Sequence, residues 1–357
     1  MFQSAYHAKN ELLQCSSNCL SEMFAEVLKS IPDFPNNWRP RVLITQPDIP
    51  RVGLEILEQR CEVIHTTGWP RSTREEILKS IKGVDALMWA SSEKLNAEIL
   101  DQAGSNLKVI SNYYTGYNHI DVKEARKRNI SVGFTGIASK DPVADVAVGL
   151  MITMGRRLHE GNLAIMKSQW EKRPQWLLGC DIAGSTVGII GLGTIGQKIV
   201  KRLQGFEVGM FLYTGRNCKP EGEKLGAIFV SLEELLTKSD FIIISCPLTA
   251  ETEHLINREA LAKMKPTSIL INVARGEIID QEALVDALKT NQICAAGLDV
   301  TTPEPLPTDH PLLHLPNSFI TPHLGSATKS VRNDMATIAA LNMLQGLAGI
   351  PMISPIP

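Results

Sequence analysis

The chain has 357 residues, 44% of them apolar and 21% charged, with a formal net charge of -2. That length suggests about two domains, at roughly 150 residues each, and the composition is that of a folded chain, not a disordered one. So small a net charge gives no electrostatic basis for binding nucleic acid or an anionic membrane, and no apolar run approaches the roughly 20 residues of a membrane span. Seven scattered cysteines, with Cys15 and Cys19 four apart but no CxxC pair or His/Cys cluster, point to reduced thiols rather than a metal site or a disulfide framework. The cytoplasm is the expected compartment.

Residues 1–38 form an N-terminal extension. Leu12, Leu13, Leu20, Phe24, Val27 and Leu28 fit a loosely amphipathic helix. Transit peptides are rich in arginine and poor in acids. This stretch carries Glu11, Glu22, Glu26 and Asp33, and no arginine before Arg39. It reads as a mobile or partner-packed extension, with mitochondrial targeting as the alternative. The C-terminal Ile353 to Pro357 matches no peroxisomal or retention signal.

From Arg41 onwards, short apolar runs alternate with helical patterns. Strands are predicted at Val42–Thr45, Val63–His65, Val84–Trp89, Leu107–Ser111 and Ile130–Phe134. Helices are predicted at Gly53–Gln59, Thr73–Ile81 (Thr73 and Glu76 forming a capping box), Ala97–Ala103 and Val122–Arg128. A long helix rich in small residues follows, from Asp141 to about Arg157. A second series then brings strands at Thr186–Gly191, Met210–Tyr213, Ala227–Val230, Phe241–Cys246, Ile269–Val273, Ala295–Val300 and Ser318–Thr321. Its helices lie at Ile195–Leu203, Leu232–Leu236 and Gln281–Lys289, and a last helix runs from about Thr328 to Leu347. Alternation of this kind predicts an α/β protein with two doubly wound parallel sheets, covered on both faces.

Gly191-Leu192-Gly193-Thr194-Ile195-Gly196 matches GxGxxG between an apolar strand and an amphipathic helix, the context that gives this weak motif its meaning. Gly191 serves the tight turn, Gly193 the approach of a pyrophosphate and Gly196 the packing of helix on strand, and the helix N-terminus at Thr194 and Ile195 offers N–H groups to phosphate. An NAD site usually has an acid about 20 residues on, for the ribose hydroxyls. Here the next strand runs into Thr214-Gly215-Arg216-Asn217, with no acid, and Arg216 can grip a 2′-phosphate. NADP(H) is therefore expected over NAD(H).

Three polar residues fall just beyond predicted strand ends: Arg275, Glu304 and His323. Carboxyl ends of parallel strands face the binding crevice, so the three can converge. Hydride addition to a ketone builds negative charge on oxygen. A protonated histidine can neutralise that charge, a carboxylate beside it favours the charged imidazole, and an arginine binds a substrate carboxylate. Taken singly, each has a commoner structural explanation; their joint placement carries the argument.

The segments GLGTIGQKI, INVARGEIID, GLDVTTPEPLPTDHPL and TPHLGSAT resemble the D-isomer-specific 2-hydroxyacid dehydrogenase family. Within it, FLYTGR, TTPEPLP and HLGSAT are most similar to the glyoxylate/hydroxypyruvate reductases. The resemblance spans about Arg41 to Pro351. It implies that Arg275 binds substrate, Glu304 tunes the acid and His323 donates the proton. It further implies that Asp299 sits near the nicotinamide, that Pro247 and Val273 line the cofactor cleft, that Thr115, Gly116 and Gly325 contact substrate, and that Trp176 reaches a partner's active site in a homodimer. The implied substrate is a small 2-keto or 2-hydroxy acid, in a cleft between the domains. The implied architecture is a Rossmann-type domain (141–322) inserted into a flavodoxin-like substrate domain (39–140 and 323–357), with the long helix after Asp141 making much of the dimer interface.

Two departures stand out. The substrate loop, Tyr113 to Asn118, is bulkier and more polar than the family pattern, and Asp145 replaces a frequent Glu. The alternatives are an NAD(H)-sensing corepressor-like scaffold and a short phosphoglycerate dehydrogenase; the missing ribose-binding acid disfavours both.

Overall fold

Two runs of short, apolar strands build two all-parallel sheets, and the chain divides around them into two compact units, Met1–Ser139 with Thr328–Pro357 and Lys140–Ala327. The structure is a computed structural model that describes residues 17–91 and 93–356. Leu12 and Leu13 of the predicted N-terminal helix, and Cys15, lie outside the described residues.

In the first unit the helices are α1 (Ser17–Ser30), α2 (Arg51–Glu58), α3 (Arg74–Ser80), α4 (Ala97–Ala103) and α5 (Val122–Lys127). The strands are β1 (Arg41–Ile44), β2 (Glu62–His65), β3 (Ala86–Trp89), β4 (Val109–Asn112) and β5 (Ser131–Gly133), in the order β2-β1-β3-β4-β5. Alternate residues of β1 serve opposite cores: Val42 and Ile44 one, Leu43 the other. That is the pattern of a strand buried on both faces. Thr73 caps α3 in the predicted box: its hydroxyl accepts the Glu76 N–H while the Glu76 carboxylate accepts the Thr73 N–H at 2.8 Å.

The second unit opens with α6 (Lys140–Gly155) and α7 (Leu158–Met166). Its strands are β6 (Thr186–Ile190), β7 (Met210–Thr214), β8 (Ala227–Phe229), β9 (Phe241–Ile244), β10 (Ile269–Asn272), β11 (Ala295–Leu298) and β12 (Ser318–Ile320). The order β12-β11-β10-β9-β6-β7-β8 reverses direction at β6, the switch point at which doubly wound sheets bind ligands. The helices between the strands are α8 (Thr194–Leu203), α9 (Pro220–Lys224), α10 (Leu232–Lys238), α11 (Arg258–Lys263) and α12 (Gln281–Lys289). The chain ends with α13 (Lys329–Leu347), back in the first unit, where its buried residues share a core with β1, β3 and β4.

Two features differ from expectation. The long helix stops at Gly155; Arg157 takes a left-handed conformation (φ 51°) and starts α7 in a new direction. One face of α6 packs on its own sheet: a Cβ added at Gly297 of β11 would stand 3.1 Å from Met154 and 3.2 Å from Leu150. Exposed large apolar side chains on and after α7 include Leu158, Ile165, Met166, Trp170 and Leu178. Finally, the second crossing between units falls after Ala327, not before His323, because His323, Leu324 and Gly325 are bonded to Asp299 of the second unit.

Candidate active site

The glycine turn sits at the carboxyl end of β6. Gly191 has φ 98°, and a Cβ there would lie 2.8 Å from the backbone of Cys246, so only glycine fits. A Cβ at Gly196 would meet the Gly191 carbonyl oxygen at 2.4 Å, which shows how closely α8 leaves the turn. Gly193 differs: nothing lies within 4 Å of a Cβ placed there. It caps α8 without a side-chain hydrogen bond, ahead of exposed Thr194 and half-buried Ile195. An open cradle at an uncapped helix N-terminus fits the pyrophosphate of a dinucleotide.

Thr214 ends β7, and Gly215, Arg216 and Asn217 follow as exposed residues. Sequence reasoning missed an acid on the neighbouring loop. The Glu251 carboxyl is held below its usual range by a hydrogen bond with Thr249 first, and also by the positive charge of Arg216. Pro247 is exposed after β9, while Val273 is buried after β10.

Glu304 joins the catalytic candidates. Its Oε2 lies 2.9 Å from His323 Nδ1, and its Oε1 accepts the Thr301 N–H at 3.1 Å. Burial pushes the Glu304 carboxyl up, but the hydrogen bond and charge of His323, the Thr301 N–H and the charge of Arg275 together bring it below the ordinary carboxylate value. The carboxylate is thus hydrogen-bonded to the imidazole and feels the charge of the guanidinium. With Nδ1 engaged, His323 keeps Nε2 for another partner. Desolvation by burial lowers the Arg275 pKa, against the pull of Glu304 and Glu277; poorly hydrated guanidinium is suited to binding a carboxylate.

Asp299, expected near the nicotinamide, anchors the segment after β12. It is 2% exposed. Its Oδ1 accepts the Leu324 N–H at 2.7 Å and the Thr321 hydroxyl at 2.6 Å, and its Oδ2 accepts the Gly325 N–H at 2.8 Å. The carboxylate thereby clamps the segment that carries His323, itself in a left-handed conformation (φ 54°). Gly325, expected to contact substrate, donates its N–H to Asp299.

In the first unit, Thr115 and Gly116 lie on the loop after β4. Buried Asn112 sets that loop by donating to the carbonyls of Tyr114 (2.8 Å) and Gly116 (2.9 Å), and the Thr115 hydroxyl meets that of Ser139 at 2.5 Å. Trp176 is not with the triad: with Trp170, Leu163, Leu177 and Pro316 it lines a cavity of about 500 Å³ beside α7. Among the described residues, no cluster of His, Cys, Asp or Glu could hold a metal, and no helix is long and apolar enough to cross a membrane.

A parallel sheet with a glycine turn at its switch point, and a histidine–carboxylate pair beside an arginine, define a nicotinamide-dinucleotide-dependent dehydrogenase; this chain belongs to the D-isomer-specific 2-hydroxyacid dehydrogenase family. Residues 148–325 match the model of that family's NAD-binding domain. The chain is 46% identical over 296 residues to the human glyoxylate reductase/hydroxypyruvate reductase, covering 82% of this chain and 90% of that one. Among solved structures it is similar to a glyoxylate reductase from Paecilomyes thermophila (TM-score 0.81, 30% identity, 91% and 99% covered). It is also similar to an NADPH-dependent glyoxylate/hydroxypyruvate reductase from Sinorhizobium meliloti, solved with NADP and malonate (TM-score 0.77, 30% identity, 89% and 97% covered).

Proposed function

We propose that the protein reduces glyoxylate and hydroxypyruvate to glycolate and D-glycerate with NADPH. The observation that carries this is the 2.9 Å pairing of His323 Nδ1 with Glu304, a carboxylate that also feels the charge of Arg275. The likeness to glyoxylate and glyoxylate/hydroxypyruvate reductases supports the choice of substrates.

The cofactor would be held by Gly191, Gly193, Thr194, Ile195 and Gly196 at its phosphates and by Thr214, Arg216 and Asn217 at its adenosine end, with Pro247 and Val273 along the strand ends. Bound there, it supplies a hydride to the keto carbon. The rest falls to this chain. Arg275 pairs with the substrate carboxylate through its planar fork and draws electron density from the neighbouring carbonyl. His323, protonated and hydrogen-bonded to Glu304 through Nδ1, delivers the Nε2 proton to the oxygen as charge develops there. Glu304 keeps the imidazole oriented through its contact with Nδ1. Thr115 and Gly116 are assigned as backbone donors to the same class of carboxylate. Arg216, with no acid in its own loop, supports NADPH over NADH.

A homodimer is part of this reading, supported by the exposed Leu158, Ile165, Met166, Trp170 and Leu178, as is a cytoplasmic location, supported by the free thiols of Cys61, Cys180, Cys218, Cys246 and Cys294. The test is loss of NADPH absorbance with glyoxylate, hydroxypyruvate and phosphohydroxypyruvate in turn. Turnover of the first two supports the proposal. Preference for the phosphorylated acid, or silence with all three, rejects it.

A further inference from the structure

The sequence singles out Arg275 but passes over the residue three positions earlier. Asn272 is the last residue of β10 and 0% exposed. Its side-chain amide is used at both ends on a single turn: Nδ2 donates to the Arg275 carbonyl at 2.8 Å, and Oδ1 accepts the Ala274 N–H at 3.0 Å. Its backbone carbonyl accepts the Asp299 N–H at 2.9 Å. Asn272 therefore touches the Arg275 turn through its side chain and the clamp of the His323 segment through its main chain.

The other side of the turn is equally constrained. A Cβ at Gly276 would stand 2.2 Å from the carbonyl carbon and oxygen of Thr301, so the turn rests backbone to backbone on the segment whose Thr301 N–H holds Glu304. Between these supports Arg275 is extended (φ -144°, ψ 144°). No isostere reproduces what Asn272 does. Aspartate has no donor for the Arg275 carbonyl, leucine has neither group, and serine is too short to span both contacts.

We propose that Asn272 is a positioning residue, which aims the Arg275 guanidinium and ties its turn to the Asp299 clamp beneath His323. The inference rests on the role given to Arg275 above. Because Asn272 acts through Arg275, its removal matters only while that guanidinium is present.

The test is a double-mutant cycle on the NADPH-bound enzyme, with N272A, R275A and the combined variant. Oxamate, an unreactive mimic of the keto acid, reports carboxylate binding, and kcat/KM for glyoxylate reports turnover. N272A should weaken oxamate and lower kcat/KM by at least tenfold, while NADPH affinity stays within threefold. In the R275A background, adding N272A should change either quantity less than twofold. Losses that multiply in the combined variant, or an N272A enzyme with unchanged oxamate affinity, overturn the inference. An R275A enzyme of full activity overturns the site assignment itself, and the inference with it. Should N272A not fold, N272S takes its place in the same cycle with the same outcomes.

Discussion

Asp299→Asn keeps the side chain's volume and replaces one carboxylate oxygen with an NH2 group. The carboxylate accepts three donors: the Leu324 N–H, the Thr321 hydroxyl and the Gly325 N–H. The least costly orientation leaves the amide oxygen with Leu324 and Thr321 and sets its NH2 against the N–H of Gly325. A hydrogen bond to a charged group contributes roughly 1.5–3 kcal/mol, and a buried donor without a partner costs about 1–3 kcal/mol. With Asp299 only 2% exposed, solvent screens little of this. The hold on the His323 segment should weaken by about 3 kcal/mol on these figures. That segment keeps His323 at φ 54°, which by itself costs an L-residue about 1–2 kcal/mol. At 1.4 kcal/mol per factor of ten, the population with a correctly placed imidazole falls by as much as ~100-fold. The expected result is kcat down about 30- to 100-fold on that scale, with NADPH affinity within threefold by fluorescence titration. An unchanged kcat beside a collapsed NADPH affinity would refute the reasoning and return Asp299 to the cofactor.

Arg216→Ala should raise the NADPH dissociation constant by roughly tenfold or more, the scale of a charge-assisted phosphate contact, and leave that for NADH nearly unchanged; equal effects on both would remove the basis for NADPH preference. Glu304→Gln should lower kcat by about 10- to 100-fold, within the range of general acid catalysis. The Glu304 carboxyl is depressed in the folded state, so its contribution to stability is present above the ordinary carboxylate pKa of about 4.3 and is lost as pH falls through the lower folded value. Thermal unfolding of Glu304→Gln should therefore be less sensitive to pH in that acid range than the wild type, and an identical acid dependence would contradict the assigned pairing. Gly276→Ala should destabilise by about 3 kcal/mol or more, since backbone must move to admit the methyl; a melting temperature unchanged within a degree would show the turn to be looser than described.

Much of the fold is legible because strand and helix signals agree with each other. β1, β3, β9 and β10 are near-continuous apolar runs, as strands covered on both faces must be. Thr73 and Glu76 mark the start of α3 before any coordinate is known. The break at Arg157 was not legible, because the sequence on both sides has helical periodicity and the left-handed residue is neither glycine nor asparagine. α11 could have been found: Asn257 caps it, accepting the Ala260 N–H at 2.9 Å, and Glu259 follows in the first turn. In the site, residue types and order point to Arg275, Glu304 and His323. The supports do not announce themselves. Asn272 and Asp299 act through backbone atoms close in space, and nothing in a single sequence distinguishes a buried clamp from a ligand contact. Glu251 was invisible for the same reason, since it approaches Arg216 from the loop after another strand.

The central claim is that one imidazole, backed by Glu304, supplies the proton. It is tested most directly by comparing His323→Gln with wild type at saturating NADPH and glyoxylate, alongside the NADPH dissociation constant of each. The account predicts a loss in kcat of about 10²- to 10⁴-fold, the usual worth of a positioned acid, with cofactor affinity within twofold. Near-normal turnover by His323→Gln, or equal losses in turnover and cofactor binding, would contradict it.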